Sequence, residues 1–462
     1  MRSDEYDNLA AVDIRYFREK FIPYISENAF TAYKLKVELA GLKVQAKYNL
    51  CPATAVREME EAIEQVTTAA VYKEEKEVTK HDIVALVHIV RSFMSPEAAP
   101  FVHRFATSYD IIDSARAMMY RDFIGEVLVP DLLKFQKVLI GVARREAATP
   151  QIGRTHLQHA VPITFGYSMA EFISRMGNCI KTIQYLVNQL HGKFSGPVGA
   201  YNAGVLLLDK HDIDPIQFES EVLAELGLTA GEYAKQIVMP EPVARLLMEV
   251  AILSGAFVNL AQNMRYLQAP EINEVMENFD PGQAGSSAMP FKKNPIASEN
   301  TISMFKIISP RIITVLLDLV SDLQRDLTNS ASSRTYFELL AYLDYTVVRM
   351  TNAMEKLYVN REAMARNMLL TKGTYAAEPL QNAMAMMGCT NAYELTQALS
   401  DTVKYTGRRF QDLMLEDETV VSYFNRLDSD QRRALMDETA YSGLSQPITL
   451  RICDEWERRL GL

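Results

Sequence analysis

Along residues 166–193 the side chains Ile173, Met176, Ile180, Ile183, Val187 and Leu190 return at alternating intervals of three and four. That spacing holds them on one stripe of an α-helix and makes the stripe a seam for another long helix. Segments 241–268, 299–323 and 336–369 carry a similar period, with Pro310 placed to bend the 299–323 segment. Glycine is sparse, 20 residues in 462, and period-two alternation is nearly absent. "SGPVGAYNA" (195–203) reads as the main irregular or short extended piece. The expectation is an all-α chain with a long central helical bundle flanked by smaller helical amino- and carboxy-terminal domains. The long helices offer more apolar face than one chain need cover, so the bundle is expected to be shared between subunits. A polar "TSYD" turn near 110 and "TKGTYAAEP" near 370 set the expected domains at 1–110, 111–369 and 370–462.

Composition narrows the function classes. A formal net charge of -10 argues against a nucleic-acid backbone or an anionic membrane as the main partner, but leaves room for local cations around a small anionic substrate. Cys51, Cys179, Cys389 and Cys453 are scattered, without a CxxC pair or a histidine at ligand spacing. This points to a reducing cytosol and no zinc. The amino terminus "MRSDEYDNLAAVDIRYF" is charged from the start and lacks a signal-peptide core. No run is read as reaching the roughly 18 apolar residues that cross a bilayer. A soluble, cytoplasmic protein is expected.

Chemistry must then come from the polar interruptions of the helical pattern. "PGQAGSSAMPFKKNP" (281–295) combines small residues with two prolines and reads as a mobile loop carrying Ser286, Ser287, Lys292, Lys293 and Asn294. "TKHDIVA" offers Thr79 as an N-cap with His81 and Asp82 in the first turn. "VHRFATSYDIID" supplies His103, Thr107, Ser108 and Asp110, with Thr107 or Ser108 as the next cap. "GRTHLQHAVPITFG" sets Arg154, Thr155, His156, Gln158 and His159 just ahead of the 166–193 helix, and "LQRDLTNSASSR" holds Arg325, Ser330 and Arg334. Each alone reads as a cap, a solvated face or an ordinary loop. Together they supply the groups for one kind of reaction, with His156 as a general acid, Ser287 as a base once deprotonated, and Lys292, Asn294, Arg325 and Arg334 as holders of carboxylate or phosphate. Metal clusters, nucleophile elbows and dinucleotide fingerprints are lacking, which suits elimination or addition without a cofactor.

"GSSAMPFKKNP" resembles the signature loop of the fumarase and aspartase superfamily, whose members eliminate an amine or water from a succinyl group to leave fumarate. Over essentially the whole chain the remainder resembles the adenylosuccinate lyase family. "DIRYFREKFIPYISENAFTAYKLKVELA", "HDIVA", "ATSYDIIDSA", "GRTHLQHAVPITFG", "SGPVGAYNA", "GSSAMPFKKNPIASEN" and "RDLTNSASSR" follow in the family's order. The resemblance implies Ser287 as the base at the succinyl β-carbon, His156 as the acid for the departing nitrogen, and His81 as its helper. It implies Lys292 and Asn294 on the succinyl carboxylates and the developing carbanion, with Glu299 orienting the histidines. Arg15, Tyr16, His103, Arg325, Ser330 and Arg334 match positions around phosphate and ribose. Thr107, Ser108 and Gln236 match substrate contacts, and Asp110, Thr155 and Ser286 complete the expected binding set. No cofactor or metal is implied; the implied partners are a succinyl nucleotide and a homotetramer whose sites are shared between subunits.

The chain departs from the family pattern in three places. Phe105 stands where glycine is usual, Pro240 and Glu241 replace an arginine and aspartate, and the tryptophan and histidine common before "RD" are absent from "DLQRD". Alternatives are a paralogous lyase on another succinyl amine, a carboxymuconate cycloisomerase, which "LQHAVPITFG" also resembles, or a non-catalytic structural member.

Overall fold

The computed structural model describes residues 14–283, 285 and 287–462. Helices dominate, and the longest are Glu27–Lys47, Phe165–Val187, Glu241–Leu267, Ile296–Leu317 and Tyr336–Glu355. Two compact units divide the chain: one holds Met1–Leu132, Cys179–Gly255 and Ser303–Val348, the other Leu133–Asn178, Ala256–Ile302 and Arg349–Leu462.

In the first unit, helix Glu27–Lys47 packs along Ser108–Phe123. Its start is fixed by Ser26, whose Oγ accepts from Ala29 N at 3.0 Å. Phe21 meets Phe123 edge to face with centroids 5.4 Å apart, and both are fully buried. In the second unit, Gly177 of helix Phe165–Val187 lets the only tryptophan of the sequence lie against the backbone, since a Cβ there would stand 2.4 Å from the Trp456 ring. The carboxy-terminal helices close a separate core around Tyr375, Leu380, Met384, Phe410 and Met414.

Several expectations are corrected. The 336–369 run is not one helix: it breaks into Tyr336–Glu355 and Arg361–Leu369 around a short strand, Tyr358–Val359. Val359 pairs there with Val275, and Asn360 caps the next helix by accepting from Ala363 N at 3.1 Å. Thr79 does not cap Asp82–Arg91; His81 holds the N-cap position, while Thr79 ends a π-helical turn and Lys80 is left-handed. The seam residues Ile173, Met176, Ile180 and Ile183 are fully buried, as their spacing predicts, but the helix ends at Val187 and Leu190 lies beyond it. By length and composition, helices Glu241–Leu267 and Ile296–Leu317 are apolar enough to cross a membrane, with mean hydropathy of 1.6 and 1.2 over 18 residues. In the first of these, Leu246, Leu247, Val250, Leu253, Phe257 and Leu260 are spent on the packed interior, as expected for a core helix of a large bundle.

Candidate active site

The segment "GRTHLQHAVPIT" forms a β-hairpin that the sequence pattern did not announce. Strands Pro150–Thr155 and Gln158–Thr164 are antiparallel, closed by the pair Thr155 and Gln158. The turn is therefore His156-Leu157, and both take left-handed φ values, 53° and 59°. Two-residue hairpins favour this conformation because it matches strand twist, although for residues other than glycine it is strained. Gly153 permits the strands to close, since a Cβ there would lie 2.7 Å from Val161 O.

A buried network holds the hairpin's base. Glu274, with a fully buried side chain, accepts from Arg154 Nη2 at 2.5 Å and Nη1 at 3.1 Å, from Gln151 Nε2 at 2.8 Å and from Asn367 Nδ2 at 2.8 Å. Thr155 and His156 are left exposed at the tip. Nearby His159, exposed at the surface, has its pKa lowered by partial loss of hydration and then by the Arg154 charge.

Among its described residues the small-residue loop is irregular, as its composition requires, and its far end is anchored firmly. Glu277 caps the helix that follows, accepting from Ala297 N and Ser298 N, both at 2.9 Å, and from Ser298 Oγ at 2.7 Å. Gln268 Nε2 donates to Lys293 O at 3.0 Å, and Asn294 Nδ2 donates to Gly285 O at 2.9 Å. Ser287, Lys292 and Glu299 are exposed. Ser286 lies outside the described residues. Among the described residues no hydrogen bond links His156 to Ser287.

The first unit gathers the other predicted residues. His81 Nε2 lies 3.4 Å from Ser108 Oγ. Thr107 is the N-cap of Ser108–Phe123, its N–H donating to Asp110 Oδ2 at 2.6 Å. Asp110 is buried and also accepts from Ser195 N at 3.0 Å, Gly196 N at 3.2 Å and the Lys193 ammonium. Its carboxylate thus ties the Thr107 cap to the "SGP" turn. Burial raises its pKa, against the opposing Lys193 charge.

His103, with φ of 62°, points Nδ1 at Glu38 Oε1, 2.7 Å away. Burial alone would lower its pKa, but the charge and hydrogen bond of Glu38 prevail and raise it, so this ring favours the cation. Phe105 keeps a glycine-like φ of 64°. Its ring is pinned edge-on to Phe218 at 5.7 Å.

Arg325 donates to Tyr109 OH at 2.5 Å and stacks over the same ring, 4.4 Å from its centroid. Both line a cavity of about 110 Å³ walled by Ile237, Met239, Pro240 and Arg116. Gln236 is half-buried and donates its N–H to Gln324 O at 3.3 Å. Ser330 Oγ donates to Leu327 O at 2.9 Å, and Arg334 reaches Glu27 Oε1 at 3.4 Å. Tyr16 sits edge-on to Tyr345 with centroids 5.1 Å apart, and exposed Arg15 precedes it. Arg18 fixes this stretch through Asp131, at 2.7 Å, and Asp344.

Sequence reasoning missed Glu38, Lys193, Glu274 and Glu277. Each acts across a long stretch of chain, and nothing in its local pattern marks it.

Residues 3–308 match the family model described as lyase, and residues 321–430 match the adenylosuccinate lyase C-terminal model. An adenylosuccinate lyase from Aquifex aeolicus is 32% identical over 88% of this chain and 92% of its own length. The chain belongs to the adenylosuccinate lyase family. Membership makes it a lyase, and the family acts on succinyl nucleotides. Another adenylosuccinate lyase, from Methanocaldococcus jannaschii, is 29% identical over 97% of this chain and 96% of its own. Among solved structures, 3-carboxy-cis,cis-muconate lactonizing enzyme from Pseudomonas putida shares the fold, with TM-score 0.85 and 23% identity over 97% of this chain and 98% of that one.

Proposed function

We propose that this lyase eliminates fumarate from adenylosuccinate to leave AMP, and from succinylaminoimidazole carboxamide ribotide (SAICAR) to leave AICAR, by general acid and base catalysis. Ser287, deprotonated, takes a proton from the succinyl β-carbon. The electron pair of that C–H bond becomes the fumarate double bond as the C–N bond breaks, and His156 gives its proton to the leaving nitrogen. Lys292 and Asn294 bind the succinyl carboxylates and spread the carbanion's charge. Asn294 must then exchange its bond to Gly285 O for one to substrate, which suits a loop that closes. His81 assists His156, and Glu299 orients the pair. Thr107, Ser108, Thr155, Gln236 and Ser286 complete the substrate contacts, with Asp110 positioning the Thr107 cap. Arg15, Tyr16, His103, Arg325, Ser330 and Arg334 take the ribose phosphate.

The observation that carries this reading is His156 held exposed on a strained, firmly based turn, a conformation that local packing does not reward. Its neighbour Leu157 is 66% exposed.

Assembly as a cytoplasmic homotetramer with shared sites is part of the proposal. Tyr185, Ile252 and Ile313, on long helices, are each more than half exposed, and a second copy would cover them. The test is ultraviolet absorbance after mixing purified protein with adenylosuccinate. A spectral change with equimolar fumarate is expected; an unchanged spectrum at high enzyme concentration would refute the reading.

A further inference from the structure

Helix Glu27–Lys47 turns Glu27, Phe30 and Lys34 to one face, because intervals of three and four stack side chains along a helix. Lys34 is only 5% exposed. Its ammonium lies 4.4 Å from the centroid of Phe30, and the Arg116 guanidinium lies 5.7 Å from the same ring. Among the described residues no carboxylate or carbonyl pairs with Lys34. An ammonium on a side chain this buried, with no paired carboxylate, is poorly solvated, which is costly, and one aromatic face recovers only part of that cost.

The charges facing Lys34 come from its own helix and from neighbouring elements: Glu27, Asp82 at the start of Asp82–Arg91, Arg334, and Glu75 in the π-helical turn. Burial lowers its pKa, and the three carboxylates oppose that shift. Glu27 links this group to the proposed substrate site. One of its oxygens accepts from Tyr72 OH at 2.9 Å, and the other meets Arg334 Nη1 at 3.4 Å. The Arg334 contact is long and single, and its side chain is 53% exposed. Such a pair holds weakly and a dianion can displace it.

We propose that Lys34 binds the substrate's phosphate monoester beside Arg334, and that Glu27 occupies Arg334 until the phosphate arrives. This rests on the succinyl-nucleotide reading above. The exchange replaces one loose carboxylate contact with charge-assisted bonds from two cations to a dianion, while Glu27 keeps its bond to Tyr72. Lys34 is already buried with its ammonium against the Phe30 ring, so little side-chain freedom is lost on binding.

Calorimetric titration with AMP and with adenosine, on wild type, Lys34→Met, Lys34→Arg and Glu27→Gln, tests the proposal. Lys34→Met should weaken AMP binding about tenfold or more and leave adenosine unchanged. Lys34→Arg should keep most of the affinity, and Glu27→Gln should tighten AMP. Unchanged AMP binding by Lys34→Met, equal weakening for adenosine, or weaker AMP binding by Glu27→Gln would overturn it. If Lys34→Met does not fold, as judged by circular dichroism, the other two variants carry the test. Should wild type bind neither AMP nor adenosine, the nucleotide reading fails, and inorganic phosphate titrated into the same proteins judges Lys34 alone. Phosphate binding lost in Lys34→Met sustains the anion site; phosphate binding unaffected by the change, or absent from wild type, sinks it.

Discussion

Arg154 and Glu274 form a two-pronged ion pair at the base of the hairpin that presents His156. Glu274→Gln keeps the size of the side chain but leaves the Arg154 charge, 13% exposed, without its counter-charge. Breaking a buried pair from one side costs about 3 kcal/mol or more, so the urea midpoint should fall by that equivalent and kcat should fall with it. A loss below about 1 kcal/mol would mean that the pair is solvated and does not set the hairpin.

Leu157 and Phe105 share a left-handed backbone but should respond oppositely to glycine. A residue with a Cβ pays roughly 1–2 kcal/mol in that region, and glycine returns part of the gain through its freer unfolded chain. Leu157 is largely exposed, so Leu157→Gly should stabilise by about 0.5–1 kcal/mol. Phe105→Gly also discards the ring packed on Phe218 and should destabilise by about 2 kcal/mol. Thermal unfolding of both variants checks this; a shift of the same sign in both would contradict it.

For His103 the relevant variable is pH. Glu38 raises its pKa against burial and against Arg91, with Asp110 adding in the same direction as Glu38. A group raised on folding contributes stability that is complete below the ordinary histidine range and is lost as pH rises through the folded value. Glu38→Gln should therefore move the His103 titration, followed by NMR, to below the ordinary range. It should also shift the alkaline rise of KM for a phosphorylated substrate to lower pH. An unmoved titration would remove Glu38 as the cause.

The helical period made the fold legible where one chain face is buried, as at Ile173, Met176, Ile180 and Ile183. The same period concealed the break near Lys356, because the Val275–Val359 pairing that makes it is set by residues far away in sequence. The hairpin was hidden for a related reason. Thr155, His156, Leu157, Gln158 and His159 are all exposed, so no buried face imposes alternation on them. Candidate site residues were legible where they interrupt helices with polar groups. Glu38, Lys193 and Glu274 were not, since each lies within otherwise ordinary sequence and acquires its role through a distant partner.

The acid and base are assigned to residues whose removal leaves the fold untouched: His156 and Ser287 are both exposed. His156→Ala and Ser287→Ala should each keep the wild-type circular dichroism and lose about a hundredfold or more in turnover of adenylosuccinate. Mixing the two inactive proteins, with subunit exchange verified, is the most direct measurement of shared acid and base chemistry. If each site draws His156 and Ser287 from different subunits, roughly a quarter of sites in an equal mixture receive both intact residues, and fumarate release should recover toward that fraction. Turnover in the mixture no higher than in either variant alone, or near wild-type turnover by either variant before mixing, would contradict the assignment.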